Sequence, residues 1–133
     1  MAKIGIFTSD QVFNNNRMFD VSDKKFNRDN ILYPYYQLKK NLNKQGIELN
    51  TLDRYLSFEK LDAILLFKLD FEALYRILKS GFCGKLIYFA WEPPVVSKEN
   101  SPGNLKKIEN LFHHIMTWND SIVDNEKYFK VNN

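Results

Sequence analysis

A chain of 133 residues is long enough for one hydrophobic core, and 44% hydrophobic with 26% charged residues excludes a disordered tract or a linker. The net charge of +3 comes from 19 basic and 16 acidic residues interspersed along the chain. The basic pairs Lys24-Lys25, Lys39-Lys40 and Lys106-Lys107 read as solvated helix faces, so no nucleic-acid partner is expected.

Met1 to Phe7 is too short an apolar stretch for a signal peptide, and no run reaches membrane-span length, which sets a cytoplasmic expectation. Ile4 to Phe7 predicts a compact buried strand closed by Thr8-Ser9-Asp10. Gln11 to Asn30, rich in Asn, Asp and Lys, predicts a long loop of the functional or mobile kind, with room for a short helix. Ile31, Tyr35, Leu38 and Leu42 share one helical face, so a helix is predicted over 31–45. Asp29 or Asn30 would cap it, Pro34 falls in its first turn and Gly46 closes it. Ile47 to Thr51 alternates and reads as a strand near a sheet edge.

Leu61 to Phe67 is almost wholly apolar, the pattern of a central strand buried on both faces. Asp70 predicts the cap of a second helix that turns Leu74, Ile77 and Leu78 inward and ends at Gly81. Cys83, the single cysteine, excludes an internal disulfide and a cysteine-based metal site, and beside Phe82 and Gly84 it reads as a small buried residue. Lys85 to Phe89 predicts a fourth strand, stopped before Pro93-Pro94. Ser101 and Pro102 open a third helix with Leu105, Ile108, Leu111 and Phe112 on its apolar face. Ile115 to Trp118 predicts a fifth strand, and 119–133 one more short helix. The order predicts a single α/β domain over 1–133, three-layered and Rossmann-like, with a mostly parallel sheet of about five strands.

In such sheets ligands bind beyond the carboxyl ends of the strands. That rule selects Thr8-Ser9-Asp10, Asp53-Arg54-Tyr55, Trp91-Glu92-Pro93-Pro94 and Trp118-Asn119-Asp120. The first turn has neither GxGxxG nor a P-loop, which disfavours a dinucleotide or nucleoside triphosphate. A receiver-type signalling domain would need an acidic pair where Asp10 stands alone. Glu92 follows a buried strand behind Phe89, Ala90 and Trp91, where desolvation raises a carboxylate pKa, and Pro93 restricts its backbone; both suit a general base. Capping a neighbouring helix or pairing with Lys98 suits it as well. Trp91 fits either a core plug or a sugar-stacking ring. His113 and His114 are adjacent on a strand and point to opposite faces, so they cannot chelate together, and no metal is expected.

Lys85 to Lys130 resembles the N-terminal domain of glycosyltransferase family 10, the α(1,3)/α(1,4)-fucosyltransferases. The resembling residues are Ile87-Tyr88-Phe89-Ala90-Trp91-Glu92-Pro93-Pro94, the helix before Phe112, Met116-Thr117-Trp118-Asn119-Asp120 and Lys127-Tyr128-Phe129-Lys130. Leu38, Gly46-Ile47-Glu48-Leu49, Thr51 and Asp53 resemble the family's second βα unit. The resemblance implies one half of a GT-B fold and inverting transfer of L-fucose from GDP-fucose to a glycan hydroxyl, without an obligatory metal. It implies Glu92 as the general base, with Trp91, Asn119 and Asp120 on the acceptor side.

The family also has a C-terminal domain whose basic residues hold the GDP diphosphate, and the sequence in hand carries none of it. The chain alone is therefore expected to lack transferase activity, to bind a glycan acceptor, and to meet the nucleotide sugar only through that domain, with no cofactor of its own. The alternative is a non-catalytic Rossmann-like module that binds a sugar or a protein. A half-domain exposing aromatic surface around Trp91 and Trp118 would also self-associate into a homo-oligomer.

Overall fold

The computed structural model describes residues 1–90 and 97–130. Among them six strands form one all-parallel sheet in the order β2-β1-β3-β4-β5-β6. They are β1 (Ala2–Phe7), β2 (Ile47–Thr51), β3 (Ala63–Leu66), β4 (Lys85–Ala90), β5 (His114–Thr117) and β6 (Tyr128–Lys130). The helices are α1 (Tyr33–Lys44), α2 (Phe71–Lys79) and α3 (Pro102–Ile108). This is the expected Rossmann-like α/β architecture, with one strand more than predicted.

Strand alternation sorts the side chains into two cores. Ile64, Leu66, Leu86, Tyr88 and Ile115 face Leu74 and Ile77 of α2 and Leu105 of α3. Ile6, Leu49 and Leu65 face the other way, against Tyr35, Leu38 and Leu42 of α1 and against Met18 and Phe19. All four residues of β3 are buried because helices cover both of its faces. β2 takes the edge, as its alternating pattern predicts.

The sixth strand replaces the helix expected in 119–133. The Asp124 side chain accepts the backbone N–H groups of Glu126, Lys127 and Tyr128 at 2.9–3.0 Å, and Asn125 adopts a left-handed φ of 59°. A carboxylate serving three successive amides stabilises a turn in place of a helix, and it delivers Tyr128 opposite Ile115.

The first helix starts later than expected. Asp29 and Asn30 are left-handed (φ 55° and 60°), so neither enters the helix as a cap. The capping position is Leu32, whose N–H donates to Asn27 Oδ1 at 2.9 Å. Gly46 ends the helix at φ 78°, as expected of a glycine there. On α2 the inward face runs through Ala73, Leu74 and Ile77, which leaves Leu78 outside with Phe71 and Tyr75. Cys83 is exposed, its Sγ donating to the Gly81 carbonyl at 3.3 Å, which corrects the buried reading. Among the described residues no helix is long and apolar enough to cross a membrane.

Candidate functional site

The strand order puts its reversal between β1 and β3, where connections diverge and leave a crevice at the carboxyl edge. Two cavities of about 380 Å3 each open there and share Phe7 and Ser9, the end of β1, as a common ridge.

The first cavity is walled by Tyr35 of α1, by Phe67 and Lys68 after β3, by Tyr88 of β4, and by Ser97, Glu99 and Asn100. Phe67 is fixed between two rings: it stacks on Phe89 at 4.4 Å and meets Tyr35 edge-on at 5.1 Å. Tyr88 stacks on Phe112, and its hydroxyl donates to Asn100 Oδ1 at 2.6 Å inside the protein. That bond ties the end of β4 to the 3-10 turn Lys98–Asn100.

The second cavity lies toward α2. Its wall carries Tyr55 and Phe58, with Asp53, Asp70 and Arg76 as charged groups. Asp70 caps α2 through the Ala73 N–H at 3.0 Å, as the sequence predicts. Tyr55 shares its one hydroxyl proton between the Ile4 carbonyl at 3.1 Å and Glu48 at 3.0 Å. Burial, foremost, pushes its hydroxyl up to about 12, and the Glu48 carboxylate acts in the same direction.

The segment expected to be a long loop shapes both cavities, giving Phe13 and Met18 to the first and Gln11 and Asn14 to the second. It is clasped to the end of β2. The Asn16 N–H donates to Thr51 Oγ1 at 2.9 Å, the Thr51 N–H returns to Asn16 Oδ1 at 2.8 Å, and the Asn15 N–H reaches Asp53 at 2.9 Å. Both asparagines sit at left-handed φ (58° and 62°), a backbone that asparagine tolerates better than most residues.

Glu92 and Trp91 lie outside the described residues. Asn119 and Asp120 sit past the end of β5 and line neither cavity. Asn119 Oδ1 accepts from the Ser121 backbone and hydroxyl at 3.1 and 2.7 Å, and Asp120 pairs with Lys130 at 2.6 Å. Tyr35, Phe67, Ser97 and Asn100 were not expected at a site. Tyr35 carried a signal as part of the apolar face of the first helix, and Phe67 as the last residue of a predicted central strand.

The two histidines separate as expected. His113 Nδ1 accepts the Leu86 N–H at 3.0 Å, while His114 meets Phe129 edge-on at 5.0 Å. Burial, then the nearby Lys85 cation, lowers the His114 pKa, and its Nδ1 is buried without a hydrogen-bond partner among the described residues. Among those residues no group of three or more His, Cys, Asp or Glu side chains is placed to hold a metal ion. No protein-family model, curated protein or solved structure matches the chain.

Proposed function

We propose that this domain is the acceptor-side half of a fucosyltransferase-like inverting glycosyltransferase, binding a glycan at the carboxyl edge of its sheet. One observation carries the reading. Tyr88, on the strand that leads into the segment holding Glu92, and Ser97, the first described residue after it, both line the first cavity. Aromatic rings with hydroxyl, amide and charged groups form the lining that a polyol needs: apolar ring faces for its C–H surface, donors and acceptors for its hydroxyls.

In this reading Glu92 takes the proton from the acceptor hydroxyl as that oxygen attacks the anomeric carbon of the donor sugar, and the nucleoside diphosphate leaves. The leaving diphosphate needs cationic stabilisation from the donor domain, so the isolated domain is inactive. GDP-fucose titrated into the purified domain produces no heat, whereas a disaccharide ending in N-acetylglucosamine or galactose gives a saturation-transfer NMR signal that Tyr35→Ala abolishes. Tight GDP-fucose binding, or a glycan signal unaffected by Tyr35→Ala, overturns the reading. In an enzyme joined to a donor domain, Glu92→Gln removes turnover without unfolding; retained turnover rules Glu92 out as the base.

A further inference from the structure

Positive charge is concentrated in one stretch of the chain. Residues 17–44 hold seven of the 19 basic side chains and three of the 16 acidic ones, a surplus of four in a protein whose net charge is +3. In the fold this stretch forms both walls of an open recess of about 520 Å3, which shares no lining residue with the two carboxyl-edge cavities. One wall is Phe19, from the 3-10 turn Arg17–Phe19. The other is the face of α1 that carries Tyr36, Lys39, Lys40, Asn43 and Lys44 at helical spacing.

The recess has an apolar floor and a cationic rim. Phe19 is buried and Tyr36 half-buried, and their rings form the apolar part of the lining. Lys39 is fixed: its ammonium donates to the Leu49 carbonyl and to Asn50 Oδ1, 5.2 Å from the Phe19 ring centre. Lys40 lies 6.0 Å from the Tyr36 ring centre. The Glu48 carboxylate acts on Lys39. Lys40 and Lys44 are exposed and form no ion pair among the described residues, and no acidic side chain lines the recess.

An unneutralised cationic rim selects an anion. The aromatic floor adds a second requirement, because a bare hydrated anion gains nothing from ring faces whereas an apolar or planar group does. We propose that this recess binds a phosphate-bearing ligand with an apolar body, the phosphate between the Lys40 and Lys44 ammonium groups and the body against Phe19 and Tyr36. The recess volume lies within the range of ordinary ligand pockets. The headgroup of an anionic phospholipid and a soluble organic phosphate share this chemistry.

The test uses the whole chain at about 0.1 M salt, where the Debye length is about 10 Å, in two arms. One is sedimentation with phosphatidylcholine vesicles, with and without phosphatidylglycerol. The other is NMR titration with adenosine monophosphate and with monomeric dihexanoyl phosphatidic acid, reading the amides of 36–44. Saturable binding is expected in at least one arm. Lys40→Glu/Lys44→Glu weakens it by about thirtyfold or more, on the scale of two surface lysines that meet an anionic headgroup. Lys106→Glu/Lys107→Glu, which changes the net charge equally on α3, leaves it within about twofold, because screening confines such effects to the neighbourhood of the charge. Binding to vesicles alone identifies a lipid, and binding of adenosine monophosphate a soluble phosphate. Equal losses from the two reversed pairs, inorganic phosphate binding as tightly as the organic probes, or no binding in either arm overturns the proposal.

Discussion

Removing the Tyr88 hydroxyl tests whether the first cavity is held by a specific bond or merely by packing. Tyr88→Phe keeps the ring and its 5.2 Å stack on Phe112 and, among the described residues, removes the bond that Asn100 Oδ1 accepts at 2.6 Å. Both residues are buried, at 1% and 6% exposure, and a buried bond of this kind contributes about 1–2 kcal/mol. In a domain of this size that lowers the melting temperature by roughly 3–8 °C. The decisive assay is a urea-unfolding cycle of wild type, Tyr88→Phe, Asn100→Ala and the double variant. Because the two residues touch, a coupling of about 1 kcal/mol is expected. The Tyr88→Phe variant should also loosen the turn Lys98–Asn100, which weakens glycan binding beyond the loss of stability. Coupling within about 0.3 kcal/mol of zero, the scatter of independent sites, refutes the assignment of this bond as the tie between β4 and that turn.

Gly84→Ala would bring a Cβ within 2.5 Å of the Asp62 carbonyl oxygen and 2.6 Å of the Leu61 one, both backbone atoms. It should cost about 1–3 kcal/mol in urea unfolding, whereas Gly103→Ala, with open space at its Cβ, should be neutral or stabilising. The Tyr55 hydroxyl is raised from 10.0 to about 12 in the folded protein, so folding favours its neutral form. Its contribution to stability is complete below pH 10 and is lost as pH rises from 10 to about 12. Wild type should then lose more stability than Tyr55→Phe between pH 9 and pH 11, and parallel losses would exclude Tyr55 as the cause. Backbone N–H groups of Glu126, Tyr128 and Lys127 hold the Asp124 carboxyl below its ordinary 3.8, so its support of β6 is present above that value and fades as pH falls through the lower folded one. Asp124→Ala should accordingly speed hydrogen exchange at Tyr128–Lys130 at neutral pH, with β1 and β3 unchanged.

The parts of the fold that were legible in the sequence are those whose cause is local. The unbroken apolar run around β3, the Asp70 cap and the closing Gly46 each report their own conformation. β6 was not legible, because Tyr128 and Phe129 fit a helix or a strand equally well and the choice is made by a carboxylate several residues earlier. Leu78 illustrates another limit: Leu74, Ile77 and Leu78 form a plausible face, yet Ala73 takes the inward place and Leu78 stays exposed, and helical spacing alone allows either. At the carboxyl edge, the strand-order rule pointed to the edge at which the two cavities open. It did not identify the walls. The clasp of Asn15 and Asn16 on Thr51 and Asp53 joins residues 35 and 38 positions apart, and an asparagine-rich loop looks the same with or without it. Asn100 was unreadable for a similar reason, since its partner Tyr88 lies 12 residues away on another element.

Helix α1 stands between two sites whose charge balances call for different ligands. At the carboxyl edge the described charged groups are of both signs, Lys68 and Glu99 in one cavity and Arg76, Asp53 and Asp70 in the other. A ligand there is better matched by hydroxyl groups than by net charge. Across α1 the charged groups that line the recess are, among the described residues, all lysines. The divide falls between neighbouring residues: Tyr35 lines the first cavity and Tyr36 the basic recess, a step of about 100° around a helix. Reversing Lys40 and Lys44 on the outer face should therefore leave the glycan signal intact, and Tyr35→Ala on the inner face should leave phosphate binding intact. If either change moves both signals by similar factors, α1 is not a partition but a lever, and the two cavities respond as one site.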